Sequence, residues 1–115
     1  MGKFSDLARK IGKTFPPGSV IFRQGEPGDA MYLLFSGSVE VSRQSGGEKR
    51  CVGVLGAGEL FGEMALVDAE PRSATVSALE ETTVIPVTNT FLRENIRKDP
   101  NFIFQIIETL IQYSR

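Results

Sequence analysis

Residues 61–76 read Phe61-Gly62-Glu63-Met64-Ala65-Leu66-Val67-Asp68-Ala69-Glu70-Pro71-Arg72-Ser73-Ala74-Thr75-Val76. A glycine and a carboxylate stand before a short apolar run, Met64 to Val67; a loop follows, and Pro71-Arg72-Ser73 opens a strand-like Ala74-Thr75-Val76. That order suits a small anionic ligand. A short helix starting near Glu63 leaves its first N–H groups unpaired, and these, with the aligned peptide dipoles, favour a negative group. Gly62 lets a ligand approach the backbone closely. Arg72 offers an anion a planar, two-pronged contact that lysine does not copy. Glu63 is out of place beside a phosphate unless something else needs an acceptor, and a ribose hydroxyl is such a donor. One phosphate together with one sugar hydroxyl describes a cyclic nucleotide.

The same residues, Gly62-Glu63-Met64-Ala65-Leu66 and then Pro71-Arg72-Ser73-Ala74-Thr75-Val76, resemble the phosphate-binding cassette of the cyclic nucleotide-binding domain family, of the catabolite activator and kinase regulatory subunit type. The resemblance extends upstream through Pro17-Gly18, Ile21-Phe22, Gly25, Gly28-Asp29, Met31-Tyr32 and Gly37, and so covers nearly the whole chain. It implies Arg72 as the charge partner of the cyclic phosphate, with pairing to Glu63 or Asp68 as the alternative. Ser73 then gives a hydroxyl and an N–H, and Ala65 and Ala74 give backbone N–H groups, within a ligand-binding set that also includes Gly62 and Met64. Glu63 accepts from the ribose, and Val41, Val52 and Phe61 form the apolar wall for the purine. Cyclic AMP is the expected ligand. Cyclic GMP stays open, because relatives that prefer it often carry threonine after the arginine, and Ser73 keeps that hydroxyl.

Composition agrees with such a module. The 115 residues suit one domain, here taken as 1–115: an N-terminal helix over 1–12, a β-roll over 13–88 holding the cassette 61–76, and C-terminal helices over 89–115. Thirteen basic and 14 acidic residues give a net charge of −1, with no basic face for nucleic acid and no basic tail for an anionic membrane. The longest apolar run, Met31 to Phe35, is too short to span a bilayer. With one cysteine, Cys51, no internal disulfide forms, which agrees with a reducing, cytoplasmic setting. The chain has no histidine, so the usual general base and the commonest metal ligand are missing. The expectation is a protein that is not an enzyme, with no catalytic residues, no metal site and no cofactor beyond the nucleotide.

In chain order, Phe4, Leu7, Ala8 and Ile11 fall at helical spacing, with Gly12 as a stop; Lys3, Arg9, Lys10 and Lys13 read as the solvated face. From Thr14 to Val87 short runs of Val, Ile, Phe and Thr are punctuated by glycine, which is the pattern of an all-β unit. Strands are expected at Ser19–Arg23, Ala30–Ser36, Ser38–Gln44, Glu48–Leu55, Ser73–Ala78 and Thr82–Val87. In the hairpin of 38–55 the alternation lines one face with Val39, Val41, Val52 and Val54. Gly18, Gly25, Gly28 and Gly37 read as turn formers, and Pro86 belongs to an edge or a strand end.

The fold expected is mainly β with flanking helices: a double-stranded β-helix, or jelly-roll-like β-roll, of eight short strands, with one N-terminal and two C-terminal α-helices. Thr88 or Asn89 caps the first C-terminal helix, and Asp99-Pro100 starts the last, which runs to about Ser114. Its apolar residues go more than halfway round, so a second copy of the chain or an effector is the expected partner of one side. The last helix ends near or just before the stretch that covers the base in relatives, so either a partner or a continuation supplies the lid, or the pocket stays open. The readings carried forward are a cyclic nucleotide sensor whose C-terminal helices shift on binding, a ligand-free interaction domain on the same roll, and a metal-dependent cupin-like enzyme.

Overall fold

A computed structural model describes residues 2–66 and 70–113, with side chains described for all of these but 2, 3, 65, 66, 102 and 109–113. The first helix, α1 (Gly2–Ile11), is followed by β1 (Lys13–Phe15), β2 (Val20–Phe22), β3 (Ala30–Ser36), β4 (Ser38–Ser45), β5 (Glu48–Gly56) and β6 (Leu60–Phe61). A single 3-10 turn, Glu63–Leu66, precedes β7 (Thr75–Ala78) and β8 (Thr82–Thr88), and the chain closes with α2 (Asn89–Asn95) and α3 (Pro100–Tyr113). The strands form two four-stranded sheets, ordered β1-β8-β3-β6 and β2-β7-β4-β5, with every neighbouring pair antiparallel. This is the expected mainly β roll with its flanking helices.

The apolar run of β3 is buried on both faces because the first sheet is covered on both. Met31 and Leu33, with Leu60, Ile85 and Val87, pack under the helices against Phe4, Leu7, Ile11, Phe91, Leu92, Ile103 and Ile106. Leu34, with Val39, Phe61, Val76 and Val84, fills the space between the sheets, where Phe15, Ile21, Phe22, Tyr32, Val41 and Leu55 border it. The helix ends are chemically marked. Thr88 caps α2, its side-chain oxygen accepting from the Phe91 N–H at 3.0 Å, and Pro100 occupies the first position of α3, where a missing N–H costs nothing. Ser114 and Arg115, where the last helix was expected to end, lie outside the described residues.

Three expectations need correction. Pro86 stands within β8, opposite Tyr32, rather than at a sheet edge; β8 accommodates it because β1 pairs with Thr82–Val84 and stops short of it. The hairpin face is not a valine face. Val39 lies opposite Leu55 and Val41 opposite Gly53, but the next pair is Ser42 with Cys51, so Val52 is the extra residue of a β-bulge. Val52 is 52% and Val54 59% exposed, and Leu55 turns inward in their place. The third correction concerns Gly28. Gly18, Gly25 and Gly37 adopt the left-handed backbone of turn glycines, whereas Gly28 does not; its reason to be glycine lies in the site.

Candidate functional site

A cavity of about 390 Å³ lies between β2, β4, β5 and β7 on one side and β6 with the residues that follow it on the other. Its size falls within the range of small-molecule sites. Phe22, Val41, Leu55, Phe61 and Val76 form its apolar wall. Gly62, Glu63, Met64, Glu70, Pro71, Arg72, Ser73 and Ala74 line the rest. The sequence stretch 61–76 thus meets itself across one cavity, since its beginning follows β6 and its end enters β7.

Arg72 is only 8% exposed. Its Nη2 donates to the Ala30 carbonyl at 2.9 Å and its Nη1 to the Gly62 carbonyl at 3.2 Å. The guanidinium lies over the Phe22 ring, 4.0 Å from its centroid, a cation–π contact strengthened by burial. Phe22, Tyr32 and Phe61 pack together, with Tyr32 and Phe61 stacked at 5.4 Å. The main chain of Arg72 is also gripped: its N–H donates to the Glu26 carbonyl at 2.8 Å, and its carbonyl accepts from the Gly25 N–H at 2.8 Å. The Nε atom is buried and has no hydrogen-bond partner among the described residues. A guanidinium stays protonated at any ordinary pH, so a buried cation with one unsatisfied donor is suited to an acceptor that carries negative charge.

The alternative, pairing of Arg72 with Glu63, is not found among the described residues: the two side chains line the same cavity without an ion pair, and Asp68 lies outside the described residues. Glu63 is half-buried and its side chain makes no hydrogen bond to another described residue, which leaves its carboxylate oxygens as acceptors within the cavity. Ser73 is exposed at the rim and Ala74 is buried beside it. The helix expected near Glu63 is one 3-10 turn of four residues, too short to align many peptide dipoles, so the individual N–H groups matter more than a macrodipole.

Of the residues named from sequence, Val41, Phe61, Gly62, Glu63, Met64, Arg72, Ser73 and Ala74 line the cavity. Ala65 sits in the 3-10 turn with its side chain undescribed. Val52 is not among the lining residues, because the bulge turns it to solvent. Phe22, Leu55, Val76, Glu70 and Pro71 line the cavity without having been named as ligand contacts. Leu55 carried no sequence signal: it faces inward because the bulge shifts the register so that it, and not Val54, lies opposite Val39. Among the described residues, no three His, Cys, Asp or Glu side chains gather as a metal site would require, and no helix is long and apolar enough to cross a membrane.

The chain is similar in sequence and fold to known proteins. The chain is 46% identical over 74 residues to the cyclic AMP receptor protein of Thermus thermophilus, covering 64% of this chain and 34% of that one. The structure of the Thermus thermophilus catabolite activator protein aligns with a TM-score of 0.76 at 36% identity, over 97% of this chain and 54% of that one. An EAL enzyme solved in a cAMP-bound form aligns at TM-score 0.67 and 31% identity, over 88% of this chain and 27% of its own. Its cGMP-bound form aligns at TM-score 0.67 and 31% identity, over 87% of this chain and 27% of its own. The chain therefore spans about a third of the receptor's length and about half of the activator's. The model of the cyclic nucleotide-binding domain matches residues 12–99, a span that takes in β1 through α2 and with them the whole cavity. That span is more than half of the chain, and the chain belongs to the cyclic nucleotide-binding domain family.

Proposed function

We propose that the cavity binds cyclic AMP and that binding repositions the C-terminal helices, making the chain the sensor part of a signalling protein. The observation that carries this reading is the buried guanidinium of Arg72 with its unsatisfied Nε, set in a cavity that Glu63 and Ser73 also line. The cyclic phosphate goes to Arg72, the Ser73 hydroxyl and backbone N–H groups of the cassette, the ribose hydroxyl to Glu63, and the base to Val41, Leu55 and Phe61. The EAL enzyme's two bound forms support cyclic GMP as the alternative ligand of such a roll.

Strand β6 supplies a route from ligand to helix. Its two residues point to opposite faces: Phe61 lines the cavity, and Leu60 packs in the layer that contains Ile103 and Ile106 of α3. A ligand that binds one position of β6 better than another therefore biases where α3 rests. Phe104, 60% exposed, and Ile107 lie on the outer side of α3, which supports a second copy of the chain or an effector domain as its partner. The reading assigns no catalytic role to the chain and no direct contact with nucleic acid, and it places the chain in the cytoplasm, in keeping with its single cysteine.

A ligand of about 22 heavy atoms at roughly 0.3 kcal/mol per atom binds with about −7 kcal/mol, near 10 μM. Millimolar cyclic AMP then stabilises the fold by roughly 2.7 kcal/mol, a rise of roughly 10 °C or more in melting temperature. Thermal melts with cyclic AMP, cyclic GMP and 2′-deoxy cyclic AMP test this. The expected order is a large shift with cyclic AMP and a smaller one with the deoxy analogue, the gap narrowing in Glu63→Gln. No shift with either natural nucleotide would favour a ligand-free interaction domain on the same roll.

A further inference from the structure

We propose that Gly28 is a positioning residue for Arg72: its missing side chain is the space in which the guanidinium sits. The inference rests on the reading of Arg72 as a ligand contact and adds a residue to it. Gly28 lies in the loop between β2 and β3, the loop whose Gly25 and Glu26 hold the main chain of Arg72 from both sides. A Cβ built on Gly28 would overlap Nε, Cζ and Nη2 of Arg72, and these are its nearest neighbours.

The other described glycines show why this one is different. Gly18, Gly25, Gly37, Gly46, Gly47, Gly58 and Gly62 have positive φ, so a substitution strains the backbone whatever space surrounds it. Gly12 has ordinary φ, but its Cβ would strike the Ala8 main chain. Gly53 and Gly56 have no close neighbour. Gly28 alone among them combines an ordinary backbone with a collision confined to the tip of one flexible side chain. An added methyl group is therefore relieved by moving the guanidinium rather than by unfolding the loop. The floor of the seat is Phe22 and its rim is the carbonyls of Ala30 and Gly62, so a displaced guanidinium leaves all three contacts together. Gly28 acts through Arg72 and touches no ligand itself.

Two measurements on Gly28→Ala test the proposal. In the proton–nitrogen spectrum of ligand-free protein, the Arg72 Nε–H signal, assigned by its loss in Arg72→Lys, is shifted by the Phe22 ring and exchanges slowly with solvent; in Gly28→Ala it moves to the position of an exposed arginine. In calorimetric titration with cyclic AMP, Gly28→Ala weakens binding on the order of tenfold or more. Added to an Arg72→Ala background, the same change costs less than about twofold, because the group it displaces is gone. An unchanged Nε–H signal, wild-type affinity in Gly28→Ala, or a full additive loss in the double variant each overturns the proposal. If Gly28→Ala does not fold, recovery of a cooperative melt in Gly28→Ala/Arg72→Ala supports it, and an unfolded double variant overturns it. Should wild-type protein bind neither cyclic AMP nor cyclic GMP, the nucleotide reading falls, while the Nε–H signal still decides whether Gly28 seats Arg72.

Discussion

The two faces of the sheet β1-β8-β3-β6 bury much the same aliphatic side chains, yet they enclose different interiors. On the helix side, Met31, Leu33, Leu60, Ile85 and Val87 meet Ile103 and Ile106 in a close apolar layer. On the roll side, Leu34, Val39, Val76 and Val84 give way within one strand's width to a cation stacked on an aromatic ring and a cavity of about 390 Å³. The difference teaches where stability and function are stored. A close-packed layer gains from every contact it closes, whereas a binding site keeps a void and an unsatisfied donor that a fully packed interior would not tolerate.

Substitutions that separate the two sides sharpen this contrast. The largest effect is expected from Ile85→Ala in the helix-side layer, a loss of about 2–5 kcal/mol in urea unfolding with nucleotide affinity unchanged in the folded fraction. A loss under about 1 kcal/mol would show that layer to be loosely packed, and the contrast would fail. Arg72→Lys comes next and affects both properties. The carbonyls of Ala30 and Gly62 lose a two-pronged donor, at a cost of about 1–3 kcal/mol to the ligand-free fold, and nucleotide binding weakens on the order of tenfold. A ligand-free melt identical to wild type would mean that the burial of Arg72 contributes nothing to the fold. The smallest effects distinguish two residues of β5 three positions apart. Leu55→Ala, on the cavity wall, should weaken binding by about 1 kcal/mol, while Val52→Ala, on the bulge, should change stability and affinity by less than about 0.5 kcal/mol. Equal losses at both positions would remove the bulge as the reason for their different roles.

Much of this was legible from residue order because local chemistry and the final fold agree. Strand β3 spans Ala30–Ser36 as expected, α2 is capped by Thr88, and the cavity gathers Gly62, Glu63, Arg72 and Ser73 from the cassette. What escaped has a physical cause in each case. A bulge inserts one residue into a two-residue period, and nothing in Cys51-Val52-Gly53 announces it, so Val52 and Val54 were assigned to the wrong face. The burial of Arg72 depends on two main-chain carbonyls and on Phe22, groups 10 to 50 positions away in the chain that no local pattern brings together. Gly28 was read as a turn former because most glycines in such loops are; its use as space for a distant side chain is a tertiary fact.

The aromatic group beneath the guanidinium has an optical consequence. The sequence contains no tryptophan and two tyrosines, and Tyr32 lies with its ring centroid 5.8 Å from the Arg72 Cζ, stacked on Phe61 at the cavity wall. Tyrosine emission is thus unmasked by any indole, and one of its two sources stands next to the charge that a bound phosphate would neutralise. If the cavity takes the phosphate proposed above, Tyr32 emission should change on titration with cyclic AMP, a readout that needs no label.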